Sequence, residues 1–303
     1  MNESAAEHMP VMVRQVLESF ADTSPRTLVD CTIGLGGHAG LLLEQHRDMR
    51  LIGLDTDDRN LSVARSRLSA FADRIHLIQA DFADLVDVLA DQGTPKVAGV
   101  LADLGVSSNQ IADPELGLSF EVDGPLDMRL DRRGNTTAAD LVNSMSEGEL
   151  SDLLYFQSQE RHSRRIAKRI CQVRRQGRIN STVMLARLVA AAVGENPDAH
   201  RGRIHPATRT FLALRMSVNR EVESLRRLLE LLPTVLSDRG RAVIISFHSG
   251  EDRLVKVDFR SRAREGAYRL LTKKPIVADE DERRANPRSR SAKMRAAEFC
   301  SRP

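Results

Sequence analysis

The 303-residue chain is 41% hydrophobic and 29% charged, ordinary proportions that supply ample material for a core and exclude a disordered chain. Aromatics make up only 4%, with no Trp, which argues against a carbohydrate platform or an aromatic-rich RNA-stacking sheet. Cys31, Cys171 and Cys300 are widely spaced and form no CxxC or Cys/His cluster, so the composition points to a reduced cytoplasm without structural zinc.

The formal charge of +3 hides an asymmetry: residues 1–150 carry 12 Lys+Arg against 25 Asp+Glu, a net of −13, and residues 151–303 carry 33 against 17, a net of +16. Such a split suits a chain in which one region grips a polyanion; chance clustering of solvated faces is the plain alternative. No apolar run approaches the roughly 20 residues of a membrane span. The N-terminal MNESAAEHMP does not read as a signal peptide.

From residue 27, short apolar runs alternate with amphipathic stretches. TLVDCTIG (27–34), LIGLD (51–55), IHLIQAD (75–81) and VAGVLADLG (97–105) read as strands, and NLSVARSRLSAF (60–71) is among the intervening helices. This rhythm predicts a parallel, doubly wound sheet with helices on both faces. Residues 106–135, rich in Gly, Pro, Asp and Ser, read as an irregular loop, and 137–216 as helical. A long amphipathic helix (219–236) precedes the next strand, RAVIISF (241–247). The expected organisation is an α/β domain, 1–106 with 214–303, interrupted by a helical domain over 107–213. Residues 267–277 are expected to close the sheet as a hairpin, and the charged stretch Asp279 to Arg295 to be a mobile tail.

The first strand runs into DCTIGLGGHAG, Asp30 to Gly40. Its glycines let the backbone turn sharply and approach a ligand closely. Asp55 ends the second strand, where a carboxylate can accept from both ribose hydroxyls of a nucleoside. Gly34-x-Gly36-x-x-Ala39 also satisfies the dinucleotide fingerprint, so the turn alone leaves NAD, other adenosine cofactors and a merely structural turn open. Two more acids favour a cationic ligand. Asp30 can face an amino group; Asp81, followed by Phe82, can meet an adenine amine and ring. With Asp103 at the end of the fourth strand, four strand-end acids suit S-adenosylmethionine (AdoMet) better than a pyrophosphate.

IGLGGH (33–38), LADLGVSSNQ (101–110), DGPLDMRLD (123–131), HPATRTFLALRMSVN (205–219), ISFHSGEDRLVK (245–256) and NPRSRSAKMRAAE (286–298) closely resemble the bacterial 16S rRNA cytosine-N4 methyltransferase family, RsmH or MraW. The likeness runs from His8-Met9-Pro10-Val11 to the C-terminus. It implies a class I, Rossmann-like AdoMet-dependent methyltransferase fold with an inserted helical domain. The implied reaction is methylation of the exocyclic amine of a cytidine in the decoding centre of 16S rRNA, within the small ribosomal subunit. The chain would be cytoplasmic, with no membrane partner, and a homodimer is admitted. By motif, the cofactor contacts would be Gly36, Gly37, His38, Asp55, Phe82, Asp103 and Gln110. The chain departs from the family at Gly250, where Leu is usual, and at Asn109, where Pro is frequent.

Cytosine's amine is a poor nucleophile, so the tasks are alignment and exclusion of water, and Asp103 is the candidate acceptor for that amine. His248 is a candidate proton acceptor or a structural histidine. His205 and Arg209 could hold a phosphate or cap a helix, with His205 favoured as structural; Cys31 reads as packing. RNA phosphates would be held by Arg161, Arg164, Arg165, Lys168, Arg169, Arg174, Arg175 and Arg178 in the insert. The tail would add Arg283, Arg284, Arg288, Arg290, Lys293 and Arg295. A non-catalytic module that keeps AdoMet as a structural ligand is the remaining alternative.

Overall fold

A computed structural model describes residues 9–22, 27–196 and 204–301; His8, which opens the family-like segment, lies outside them. The chain divides into two compact units, residues 1–105 with 223–303, and 106–222. The boundary expected from sequence at 213/214 falls inside a helix that the structure keeps whole within the second unit.

In the first unit, α1 (Val13–Phe20) and β1 (Thr27–Asp30) lead to α2 (Gly37–Gln45), β2 (Arg50–Asp55), α3 (Asp58–Arg67), β3 (Ile75–Gln79), α4 (Leu85–Asp91) and β4 (Val97–Asp103). The second unit holds α5 (Ser108–Ala112), α6 (Ala138–Ser144), α7 (Glu147–Ser158), α8 (Ser163–Val173), α9 (Thr182–Val193) and α10 (Thr208–Val218). The chain returns through α11 (Glu221–Val235) to β5 (Leu236–Ser246), α12 (Ser249–Arg264), β6 (Tyr268–Leu270), β7 (Ile276–Val277), α13 (Glu280–Ala285) and β8 (Lys293–Phe299).

The sheet order is β3-β2-β1-β4-β5-β8-β6, with β7 also paired to β8. β3 to β5 are parallel, and β8 is antiparallel to both its neighbours β5 and β6. This is the expected α/β, Rossmann-like architecture with a helical insertion. Its strands are apolar on both faces, as a sheet covered on both sides requires. Val29, Ile52, Leu54, Val100, Ala102 and Ile244 pack into one core with residues of α4, α11 and α12. Their alternates Leu28, Leu51, Leu101, Val243 and Ile245 pack with α1, α2 and α3 into the other. The second unit has its own core, in which Leu150, Leu154, Ile166, Ile170, Leu185 and Phe211 are buried.

Two expectations fail at the C-terminus. Residues 267–277 do not form a hairpin: β6 and β7 each pair with β8. The segment 279–295 is not a free tail, since it folds as α13, a short 3-10 turn at Pro287–Arg290 and the start of β8. In β8, alternation places Met294 and Ala296 in one core and Ala297 in the other. That apolar content is masked in sequence by Arg295 and Glu298, both buried. Arg295 Nε donates to Asp252 Oδ1 at 2.7 Å, and Glu298 pairs with Arg269 at 2.8 Å.

Candidate active site

Strand parity places the chemistry. Leu28 and Leu101 belong to the α2 face of the sheet, so Asp30 and Asp103, two residues further along their strands, point to that same face; so does Asp55, four residues after Leu51. Three acids thus converge at the carboxyl ends of β1, β2 and β4, where open α/β sheets bind ligands.

Their environments differ. Asp30 is buried, and its Oδ1 accepts from Thr32 N at 3.1 Å. Burial, reinforced by Asp103 and Asp55, raises it to about 6 against the pull of His38. Asp55 accepts from Gly34 N at 3.0 Å and Asn60 Nδ2 at 3.2 Å through Oδ2, and from Asp57 N at 2.9 Å through Oδ1. Burial nonetheless raises it to about 6. Asp103 is held by its main chain, whose N–H donates to Thr32 Oγ1 at 2.6 Å. Its Oδ1 is buried without a hydrogen-bond partner. Burial lifts this carboxyl to about 7, Arg288 pulling it down and Glu251 pushing it up.

His38 completes the cluster from the first turn of α2. Its Nε2 lies 2.8 Å from Val11 O, and a carbonyl can only accept, so Nε2 carries the proton. Burial lowers its pKa, which leaves Nδ1 a lone pair, 3.8 Å from Asp103 Oδ2. The cluster is therefore made of acceptors: Asp30, Asp103 Oδ1 and His38 Nδ1. A ligand with positive charge and N–H donors fits it. A diphosphate does not, because it would add negative charge beside three poorly solvated carboxylates. This set of acceptors matches the ammonium and sulfonium of AdoMet.

The glycine turn is shaped chiefly by the protein itself. Gly36 precedes α2 with φ 81°, a left-handed conformation, and a Cβ there would meet Leu68 at 2.8 Å. At Gly37 a Cβ would lie 3.1 Å from Pro10. Their value to a ligand lies in main-chain groups at the helix start rather than in the space left by a missing side chain. Asp81 is committed locally: Ala83 N donates to Oδ1 at 2.9 Å and Ser224 Oγ to Oδ2 at 2.7 Å. Phe82 follows it, half-buried against the core of α4 and α11.

Gln110 is in the other unit, buried, where its Oε1 accepts from Ser107 N at 2.9 Å and caps α5. His205 Nδ1 accepts from Ala207 N at 3.1 Å, and its ring packs on Phe120 with centroids 4.6 Å apart, the structural role favoured from sequence. His248 caps α12: its Nδ1 accepts from Glu251 N at 3.4 Å, while Glu251 Oε2 accepts from Phe247 N at 3.0 Å. Its Nε2 sits 3.1 Å from Glu251 Oε1 without hydrogen-bond geometry. Cys31 is buried in the sheet core, and burial together with Asp30 pushes its thiol well up, against the thiolate that a nucleophile requires.

Sequence reasoning missed the closing strap. Asn286 Nδ2 donates to Met9 O at 3.0 Å and Met12 N donates to Glu282 Oε1 at 2.6 Å. The segment carrying Pro10 and Val11 is thereby tied to α13 and the turn that follows. That turn brings half-buried Arg288 into electrostatic reach of Asp103. The motif NPRSRSAKMRAAE held the signal, but its charge reads as a solvated tail. Two basic residues of the insert already have protein partners: Arg174 Nη1 donates to Val142 O at 2.9 Å and Met145 O at 2.6 Å, and exposed Arg178 pairs with Asp140 at 2.6 Å.

Known proteins resemble this chain over nearly its whole length. It is 48% identical over 296 residues to the ribosomal RNA small subunit methyltransferase H of Synechococcus sp. (strain CC9605), covering 96% of this chain and 97% of that one. It is 45% identical over 292 residues to the protein of that name from Solibacter usitatus (96% and 99% covered) and 44% over 291 residues to that of Sorangium cellulosum (96% and 90%). A solved rRNA methylase from Streptococcus thermophilus superposes with a TM-score of 0.44 at 9% identity, covering 95% of this chain and 94% of that one. The profile of the MraW methylase family matches residues 5–300, and the chain belongs to that family.

Proposed function

We propose that this protein transfers the methyl group of AdoMet to the exocyclic N4 amine of a cytidine in the decoding centre of 16S rRNA, acting on the small ribosomal subunit in the cytoplasm. The relatives' shared name supplies the small-subunit rRNA as substrate. The observation that carries the chemistry is Asp103: a half-buried carboxyl at the end of β4, whose Oδ1 is buried and unpartnered, among acceptors that favour a cation.

AdoMet, when bound, supplies a methyl group activated by the adjacent sulfonium. Gly36 and Gly37 would receive it at the start of α2, with His38 and Asp30 as acceptors for its ammonium. The remaining acceptor capacity of Asp55 suits the ribose, and Phe82 offers a face to the adenine. Gln110 belongs to the helical unit, where its oxygen caps α5, and only the family likeness assigns it to the cofactor.

For the acceptor base, Asp103 Oδ1 is the free acceptor at the site. In its ionised form it would take a hydrogen bond from the amine, draw the nitrogen lone pair out of conjugation, offset the charge that develops as the N–C bond forms and the S–C bond breaks to leave the thioether, and accept the N4 proton released. Arg288 favours that ionised form. His248 is left to hold the start of α12. The base itself must be unstacked before its amine can be reached.

The decisive test incubates unmodified small subunits with the protein and AdoMet and reads the rRNA by nucleoside mass spectrometry. N4-methylcytidine should appear only when both are present. Methylation at another atom, or none, would overturn the reading.

A further inference from the structure

On α7 the core contacts are made by Leu150, Leu153 and Leu154. The helix nevertheless carries Tyr155 and Phe156 outward, 53% and 75% exposed, their rings edge to face with centroids 5.4 Å apart. Two adjacent aromatic rings in water are costly to keep and are not needed by a core already filled from the other side of the helix.

Their position is specific. Gln159, left-handed at φ 56°, ends α7, and Glu160 Oε1 accepts from His162 N at 2.8 Å, turning the chain at once into α8. The aromatic last turn of α7 therefore adjoins the basic first turn of α8. Residues 161–178 contain eight Lys+Arg and no Asp or Glu. Arg161, Arg164, Arg165, Lys168 and Arg169 are all exposed, and none makes an ion pair among the described residues. Of the three acids of α7, Glu147 and Glu149 sit in its first turn at the opposite end, and exposed Asp152 lies one turn before the rings.

From this juxtaposition we infer that Tyr155 and Phe156 form a stacking platform for unpaired bases of the rRNA, with the basic face of α8 holding the adjoining phosphates. The inference rests on the rRNA reading above and assigns it a surface. Rings accept any base on their faces and cations follow the backbone, the combination that single-stranded RNA requires. An acidic protein partner is the other occupant that this charge and these rings admit, and the test below separates it from RNA. The platform thus supplies grip on splayed nucleotides rather than sequence readout.

The chain has no Trp, so Phe156→Trp places a single reporter on the platform. A single-stranded oligoribonucleotide from small-subunit rRNA should quench its fluorescence saturably. Tyr155→Ala/Phe156→Ala should weaken binding of that RNA by roughly tenfold per stacked base. It should leave AdoMet affinity and the salt slope unchanged, because stacking releases no counterions. Phe156→Leu should not restore affinity, whereas Phe156→Trp should. RNA retained on a filter without quenching would sink the platform alone. Quenching by intact subunits but not by protein-free rRNA or the oligomer would also sink it and assign the rings to a ribosomal protein. Failure of the unaltered protein to bind any of these RNAs would overturn the rRNA reading and this inference together.

Discussion

Asp103, Asp30 and Asp55 are acids whose ordinary value of 3.8 is raised by burial to about 7, 6 and 6. In the folded protein they hold protons that the unfolded chain releases above about pH 4, so the folded state binds more protons between about pH 4 and pH 7. The slope of stability with pH is then negative across that window, the reverse of a salt-bridged carboxylate. Denaturant unfolding of the ligand-free protein across pH 4 to 7 should show this contribution as a slope that Asp103→Asn makes less negative, with His38, lowered by burial, adding the opposite sign in both proteins; an unchanged slope would refute the burial of Asp103. A cationic ligand favours the ionised forms, so AdoMet binding near pH 6.5 should release protons, seen as a buffer-dependent binding enthalpy. Asp103→Asn should lower single-turnover methyl transfer by more than it lowers AdoMet affinity, and equal losses would make Asp103 a cofactor ligand only. For Asp55→Ala the hydrogen bonds to Gly34 N and Asp57 N add a consequence beyond ribose contact. Melting temperature should fall together with AdoMet affinity, each charge-assisted bond being worth about 1.5–3 kcal/mol.

Among the helices, α6 and α7 give opposing tests of the insert. Arg174 closes the C-terminal carbonyls of α6, so Arg174→Ala should destabilise the protein by about 1–3 kcal/mol through unsatisfied groups while leaving RNA affinity unchanged. Chemical denaturation and filter binding on the same variant separate this from a phosphate contact. Gly148, in the first turn of α7, has nothing within 4 Å of the point a Cβ would occupy, and its φ is not left-handed. Gly148→Ala should therefore stabilise the chain by about 0.5–1 kcal/mol, read as a raised melting temperature.

Across the whole molecule the charge asymmetry separates two jobs. The acidic strand ends lie in the sheet unit, while the exposed cations of α8 lie in the helical unit. Reversing Arg164, Arg165 and Arg169 to Glu should leave AdoMet binding intact. Small-subunit binding should fall sharply and its salt dependence flatten, because each lost phosphate contact removes roughly one unit of slope. Unchanged binding across a salt series would reduce the cluster to a solvated face.

The strands β1 to β5 and the acids at their ends were legible in the sequence because local signals are sufficient there. A buried parallel strand must be apolar on both faces and its end is marked by charge, but such a strand carries no parity signal, so only the two cores show that Asp30, Asp55 and Asp103 share one side. The glycine turn was equally plain, though not its cause, since Leu68 and Pro10 approach from distant points in the chain. What tertiary structure alone decided is non-local. β8 reads as a charged tail because Arg295 and Glu298 find partners at Asp252 and Arg269 that no window of sequence contains. The strap that carries Arg288 toward Asp103 depends on bonds between residues 9–12 and 282–286, some 270 positions apart. Likewise Arg174 differs from Arg165 only in what folding sets beside it: two helix-end carbonyls for one, open solvent for the other. Charge type and periodicity are properties of the chain, whereas desolvation and pairing arise only when distant segments meet.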